Sequence, residues 1–209
     1  MRLLAVTIGM VALFVAGQVH AGMITPTGGS DALVVKDWGA GFNDTCVRDQ
    51  SSTAMSASYD PSDSSYRWWW VPVLEFPIGA LAGQTELDVS LNIYFEGVGG
   101  PGVQIRFCGA DDNGVIEEAD WMNAGALVTT LSPGTSGWVQ ADVSSQIQGL
   151  ADTGASWGVF SVRAADWFGS ATIRASEYAG FSPYLDVVPE PASLCLLVVG
   201  GLGLLRRRK

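Results

Sequence analysis

Between residues 23 and 188 the hydrophobic positions follow a period of two rather than a helical period. In Leu87-Asp88-Val89-Ser90-Leu91-Asn92-Ile93-Tyr94-Phe95 the apolar residues alternate with others. A strand sends successive side chains to opposite faces, so this stretch predicts one buried face and one wet face. Further short runs at 32–35, 68–76, 103–107, 126–131, 137–143, 156–163, 171–175 and 184–188 are separated by Gly, Pro, Asn, Asp and Ser clusters. Such clusters punctuate strands. Residues 142–150 predict one short helix. Residues 43–66 are polar, lack a core pattern, and predict a long exposed loop in which Cys46 is the one anchor. So many short strands bury their apolar faces most simply in two packed sheets. The expected fold is all-β, an antiparallel, jelly-roll-like β-sandwich.

The two ends break the pattern. Residues 3–16 are an apolar run behind Arg2, and Val19-His20-Ala21 offers small or modest side chains at the positions a signal peptidase reads. This predicts a secretory signal peptide over residues 1–21, cleaved after Ala21, and export by the Sec machinery. Residues 192–205 form a second apolar run. As a helix it covers about 21 Å, short of the ~30 Å hydrocarbon core, so it predicts a short transmembrane segment. Arg206, Arg207, Arg208 and Lys209 close it. Clustered positive charge stays cytoplasmic, which places the rest of the chain outside the inner membrane, as the leader does independently. Pro189 and Pro191 flank Glu190 and hold the approach to the membrane extended. The expected organisation is a signal peptide at 1–21, a sandwich domain at 22–187 and a sorting segment at 188–209.

The run Val188-Pro189-Glu190-Pro191-Ala192-Ser193, the Leu- and Gly-rich stretch after it and the closing basic residues resemble the PEP-CTERM sorting signal of exopolysaccharide-producing Gram-negative bacteria. The resemblance implies an exosortase as partner, which removes the tail of a membrane-tethered precursor. It implies a final place at the cell surface or in the extracellular matrix of a biofilm. A second resemblance spans the body. The stretches 67–76 (RWWWVPVLEF), 87–95, 138–143 (WVQADV) and 157–163 (WGVFSVR) resemble the DNRLRE-type β-sandwich module, as do the closing segments 173–177 and 182–187. That group is similar to carbohydrate-binding jelly rolls and implies a surface or matrix protein. Where it prefers Ser-Arg-Glu, this chain has Ala175-Ser176-Glu177 and lacks the arginine.

Charge and composition narrow the chemistry. The formal charge is −10, and it reaches −14 once Arg2, Glu190 and the four basic tail residues are gone. Such a body does not bind nucleic acid by neutralising phosphates; cations, neutral glycans and basic surfaces fit it better. His20 is the chain's one histidine and leaves with the leader. Ser-His-Asp and Cys-His catalysis and histidine-based zinc sites are thereby excluded from the body. Cys195 lies in the tail, which leaves Cys46 and Cys108 as a predicted disulfide in an oxidising compartment, with two separate buried thiols as the alternative. Closing that loop would contribute roughly 4 kcal/mol in the chain-entropy picture.

Three further groups bear on function. Glu75, Glu177 and Asp120 are available for a glycosidase-type carboxylate pair, which needs two carboxyls roughly 5–10 Å apart across a cleft. Most carboxylates solvate a surface, so the expectation is a non-enzymatic protein without a cofactor. In Gly109–Asp120, the residues Asp111, Asn113 and Asp120 fall at ligand positions of a calcium loop, but Gly109 stands where an acid is required. The stretch therefore reads as a polar turn with Asn113-Gly114 at its tip, and no metal is expected. Trp68, Trp69 and Trp70 alternate across a strand, so at least one face is core; the other is a candidate glycan-stacking surface, with core packing of all three as the alternative if both sheet faces are covered. Trp38, Trp121 and Trp167 are alternative platforms. The function expected is contact with extracellular polysaccharide, as an adhesive surface protein or a dedicated carbohydrate-binding module, with a carboxylate-dependent hydrolase or lyase as the remaining alternative.

Overall fold

The computed structural model describes residues 22–26, 31–37, 45–48, 54–63, 66–117, 120, 125–166, 169–176 and 178–188; between 27 and 69, Ala57 is the one described side chain. Both apolar ends, with Ala21, Pro189, Glu190, Pro191 and Arg206 to Arg208, lie outside these residues, as do Trp38, Trp121, Trp167 and Glu177. Among the described residues no helix is long and apolar enough to cross a membrane.

The described chain is an all-β sandwich with little helix: one short α-helix and a single 3-10 turn at Gly79–Leu81. In order, the strands are β1 (Gly22–Ile24), β2 (Asp31–Asp37), β3 (Thr45–Arg48), β4 (Ala54–Asp63), β5 (Tyr66–Pro77), β6 (Asp88–Gly99), β7 (Val103–Asp111), β8 (Ala126–Leu131) and β9 (Gly137–Asp142). Helix α1 (Ser144–Thr153) precedes β10 (Trp157–Ala164), β11 (Ser170–Arg174) and β12 (Tyr184–Val188). Every pairing is antiparallel. One layer runs β9–β6–β12–β1 and the other β3–β2–β5–β10–β7–β8, with β4 and β11 forming a seam between them.

The seam exists because the two longest strands change partner midway. β6 pairs with β12 through residues 88–92 and with β11 through 95–99. β5 pairs with β4 through residues 66–70 and with β10 through 73–77. Pro72, which has no N–H to donate, stands in the gap between those two pairings of β5. Pro61 likewise falls where the β4–β5 register breaks, between Asp60 and Asp63. The exposed loop expected at 43–66 is thus corrected: β3 and β4 both lie within it. Its Ser- and Ala-rich composition carries little strand propensity, but β4 is held by ladders on both sides, to β11 and β5, and buries Ala57 completely.

Between the layers the alternating residues interdigitate: Val89, Leu91, Ile93 and Phe95 of β6 and Leu185 and Val187 of β12 share one core with Leu74, Phe76, Ile105 and Phe160. Phe160 anchors it, with ring centroids 5.9 Å from Phe76 and 5.4 Å from Phe107. Helix α1 closes one end through Ile147, Leu150 and Ala151. Ser144 N–H donates to Asp142 Oδ1 at its start, and left-handed Gly154 ends it by donating to the last-turn carbonyls.

Candidate functional site

The two layers present outer faces of different character. On the β9–β6–β12 face the registers place Trp138 opposite Tyr94, Gln140 opposite Asn92 and Asp142 opposite Ser90, with Tyr184 on the far side of Asn92. Tyr94, Trp138 and Tyr184 thus share the outward parity of their strands with the four polar residues, of which Asn92 is buried. Trp138 is 45% exposed. Its ring meets Tyr94 edge-on at 5.6 Å, meets Tyr184 at 5.4 Å, and lies nearly parallel to Phe181 at 6.3 Å. Phe181 belongs to the β11–β12 connection and packs on Tyr94 at 4.4 Å and Tyr178 at 5.6 Å. That connection is pinned by Ser182 Oγ donating to the Ser176 carbonyl at 2.7 Å. The Arg174 guanidinium lies 4.0 Å from the Tyr178 ring centre and is ion-paired with Glu96. Gln140 donates to Ser90 Oγ at 2.8 Å, so amide and hydroxyl groups border the rings. The Asp142 carboxyl sits below its ordinary proton affinity because the Ser144 hydroxyl, then the Ser144 N–H, donates to it.

The opposite face, on β5–β10–β7, is covered. Val71, Val73, Cys108 and Val159 pack with Ile116, which comes from the connection between β7 and β8. Two glycines fit that connection to the sheet. Gly114, at φ 69°, lies so close to the Trp157 ring that a Cβ would fall 2.3 Å from it, and Gly125, at φ 66°, lies against the Phe107 carbonyl. Asp111 Oδ2 accepts from the N–H groups of Asn113 and Gly114 at 3.0 and 2.7 Å, so the polar turn expected at Asn113-Gly114 is present. It is not a tight hairpin, because β8 starts only at Ala126.

Glu75 lies under this cover with no exposed surface. Burial first, then the charges of Asp120 and Asp111, push its pKa up to about 8. The Asp120 carboxyl lies within hydrogen-bonding reach of Glu75, a bond the pair makes only while one of them keeps a proton, and no other group donates to either Glu75 oxygen. Burial also raises Asp120, against the N–H of Glu117 that donates to its carboxylate. A cleft of about 590 Å³ opens beside them, lined in part by Asp111, Asp112, Asp120, Cys108 and Val159.

The residues expected to carry function are distributed unevenly. Asp120 lies against Glu75 and Asp111 near enough to raise its proton affinity, while Asn113 uses its Oδ1 to accept from Val115 N–H. Glu75, having no exposed surface, neither protonates a leaving group nor attacks a sugar as it stands. Trp70 is 37% exposed and borders a shallow cleft of about 570 Å³ with Gly97, Gly99 and Thr172; the side chains of Trp68 and Trp69 lie outside the described residues. Cys108 is buried, with Sγ 3.3 Å from Ser161 Oγ, while the Cys46 side chain also lies outside them. Sequence reasoning missed the Trp138 cluster. Its signal was parity: Tyr94, Trp138 and Tyr184 are aromatic rings in the polar phase of alternating strands.

Comparison with known proteins bears on the end of the chain. Residues 187–209 match the PEP-CTERM protein-sorting motif. That motif implies an exported protein of a Gram-negative bacterium whose membrane-anchored precursor is processed by an exosortase. It begins within β12, where Val187 still pairs with Val89 and Val188 with Asp88. No curated protein matches the chain.

Proposed function

We propose that the processed protein is a non-enzymatic component of the cell surface or extracellular polysaccharide matrix, and that the β9–β6–β12 face is where it contacts glycan. The carrying observation is the exposed Trp138 ring, set among Tyr94, Phe181 and Tyr184 on a face otherwise lined by Ser90, Gln140 and Asp142. A sugar ring has an apolar C–H face and a rim of hydroxyls. Indole and phenol rings match the first; amide, hydroxyl and carboxylate groups match the second. Monomeric proteins seldom leave such rings exposed without a use for them. The resemblance of the body to carbohydrate-binding jelly rolls supports the same reading, and the sorting motif supports a destination where polysaccharide is the abundant ligand. The test is affinity electrophoresis in gels containing exopolysaccharide from the producing strain. Trp138→Ala should weaken retention about tenfold or more, while Trp70→Ala should leave it unchanged. Equal retention of wild type and Trp138→Ala would remove this face from consideration.

A further inference from the structure

The cover over the β5–β10–β7 face conceals a group that packing leaves unexplained. Glu75 is fully buried, no donor reaches either of its carboxylate oxygens, its one side-chain contact of that kind is with another acid, Asp120, and the charges that act on it are those of Asp120, Asp111 and Glu117. Its register partner Val159 lines the same cleft as Asp111 and Asp120, so an acidic opening lies beside the strand that carries Glu75. Burying a carboxylate without a partner is strongly unfavourable unless a proton or a cation joins it.

We propose that Glu75, Asp120 and Asp111 form a calcium site beneath the β7–β8 connection, with Glu75 as its buried ligand. Their donor atoms are carboxylate oxygens, which select hard cations over zinc or copper. No three acidic, histidine or cysteine side chains among the described residues stand close enough to hold an ion as they are, so the ion completes the site by drawing the carboxylates together. Calcium tolerates this, taking six to eight oxygens in irregular geometry; magnesium demands a near-ideal octahedron. Asp111 is already oriented by the N–H groups of Asn113 and Gly114. The arrangement differs from a calcium loop of consecutive ligands, because its deepest ligand comes from a strand of the sheet.

The test is thermal unfolding and titration calorimetry of the full-length chain in detergent, in chelator or about 5 mM calcium chloride, with magnesium chloride at matched ionic strength as control. Calcium should raise the melting temperature by roughly 5 °C and bind with a Kd on the order of 10⁻⁴ M, and magnesium should do neither. Glu75→Gln should abolish the shift, and Asp120→Asn should weaken binding about tenfold. Absence of a calcium-specific shift, or a full shift in Glu75→Gln, overturns the site. Should Glu75→Gln fail to fold, the half-exposed position of Asp120→Asn decides: a weakened response supports the site, and an undiminished one overturns it.

Discussion

The sandwich has two outer faces built from the same alternating pattern, and they have been resolved in opposite ways. On β9–β6–β12 the outward side chains other than the buried Asn92 meet solvent, and aromatic rings gather among polar groups around Trp138. On β5–β10–β7 the outward side chains are Val71, Val73, Glu75 and Val159, and the β7–β8 connection seals them with Ile116. The first face spends its aromatic area outside the core. The second uses a loop as a third layer, and in doing so buries a carboxylate. An exposed ring is tolerable where it meets a ligand, whereas a buried carboxylate requires a compensating proton or cation. Glycan contact is therefore proposed for the open face, and a divalent ion under the sealed one.

The sharpest way to break the contrast is to compare truncations on the two sides. Ile116→Ala should cost about 2–4 kcal/mol in urea denaturation, because it opens a cavity between loop and sheet. Trp138→Ala should cost only about 1 kcal/mol, since much of that side chain is solvated, yet should be the variant that loses polysaccharide retention. Equal losses of stability would mean the faces are not differently covered. Next in size is Gly114→Ala, which combines a positive φ with a clash against Trp157 and should cost about 1–3 kcal/mol by the same measurement.

A pH series sharpens the comparison further. The Glu75 carboxyl has its ordinary value near 4.5 when unfolded and about 8 when folded, so the folded state binds its proton more tightly. Its contribution is fully present below about pH 4.5 and is lost as pH rises through about 8. In chelator, the urea midpoint should fall between about pH 5 and pH 8.5 in the wild type and fall less in Glu75→Gln. Asp142 has the opposite sign: its lowered pKa gives stability that is lost only on acidification, well below that window. The smallest effect belongs to Arg174→Met. It removes an ion pair with Glu96 and a cation–ring contact with Tyr178 at half-exposed positions, and should cost about 0.5–1 kcal/mol. A larger loss would show the β11–β12 connection to be a principal support of the aromatic face.

How far the sequence was legible differs along the chain. The alternation in 87–95 placed β6 and identified its buried phase, and the runs at 126–131 and 184–188 coincide with β8 and β12. Ser- and Ala-rich β4 left no such trace, because ladders on both sides hold it rather than side-chain propensity. The Trp triplet drew attention by composition, yet the ring cluster formed around Trp138, whose partners come from β6, β12 and the β11–β12 connection. Asp111 and Asp120 were visible as acids near one turn. That Glu75, dozens of residues earlier, faces them was not visible at all.

By itself the sequence determined the strand period, the acidic, histidine-free character of the body and the sorting signal at its end, because each of these is read from neighbouring residues. Only the tertiary structure decided which outer face stays open and which is sealed. That outcome depends on where the β7–β8 connection lies down, and on registers that join residues far apart in the chain. Chain proximity carries no information about either.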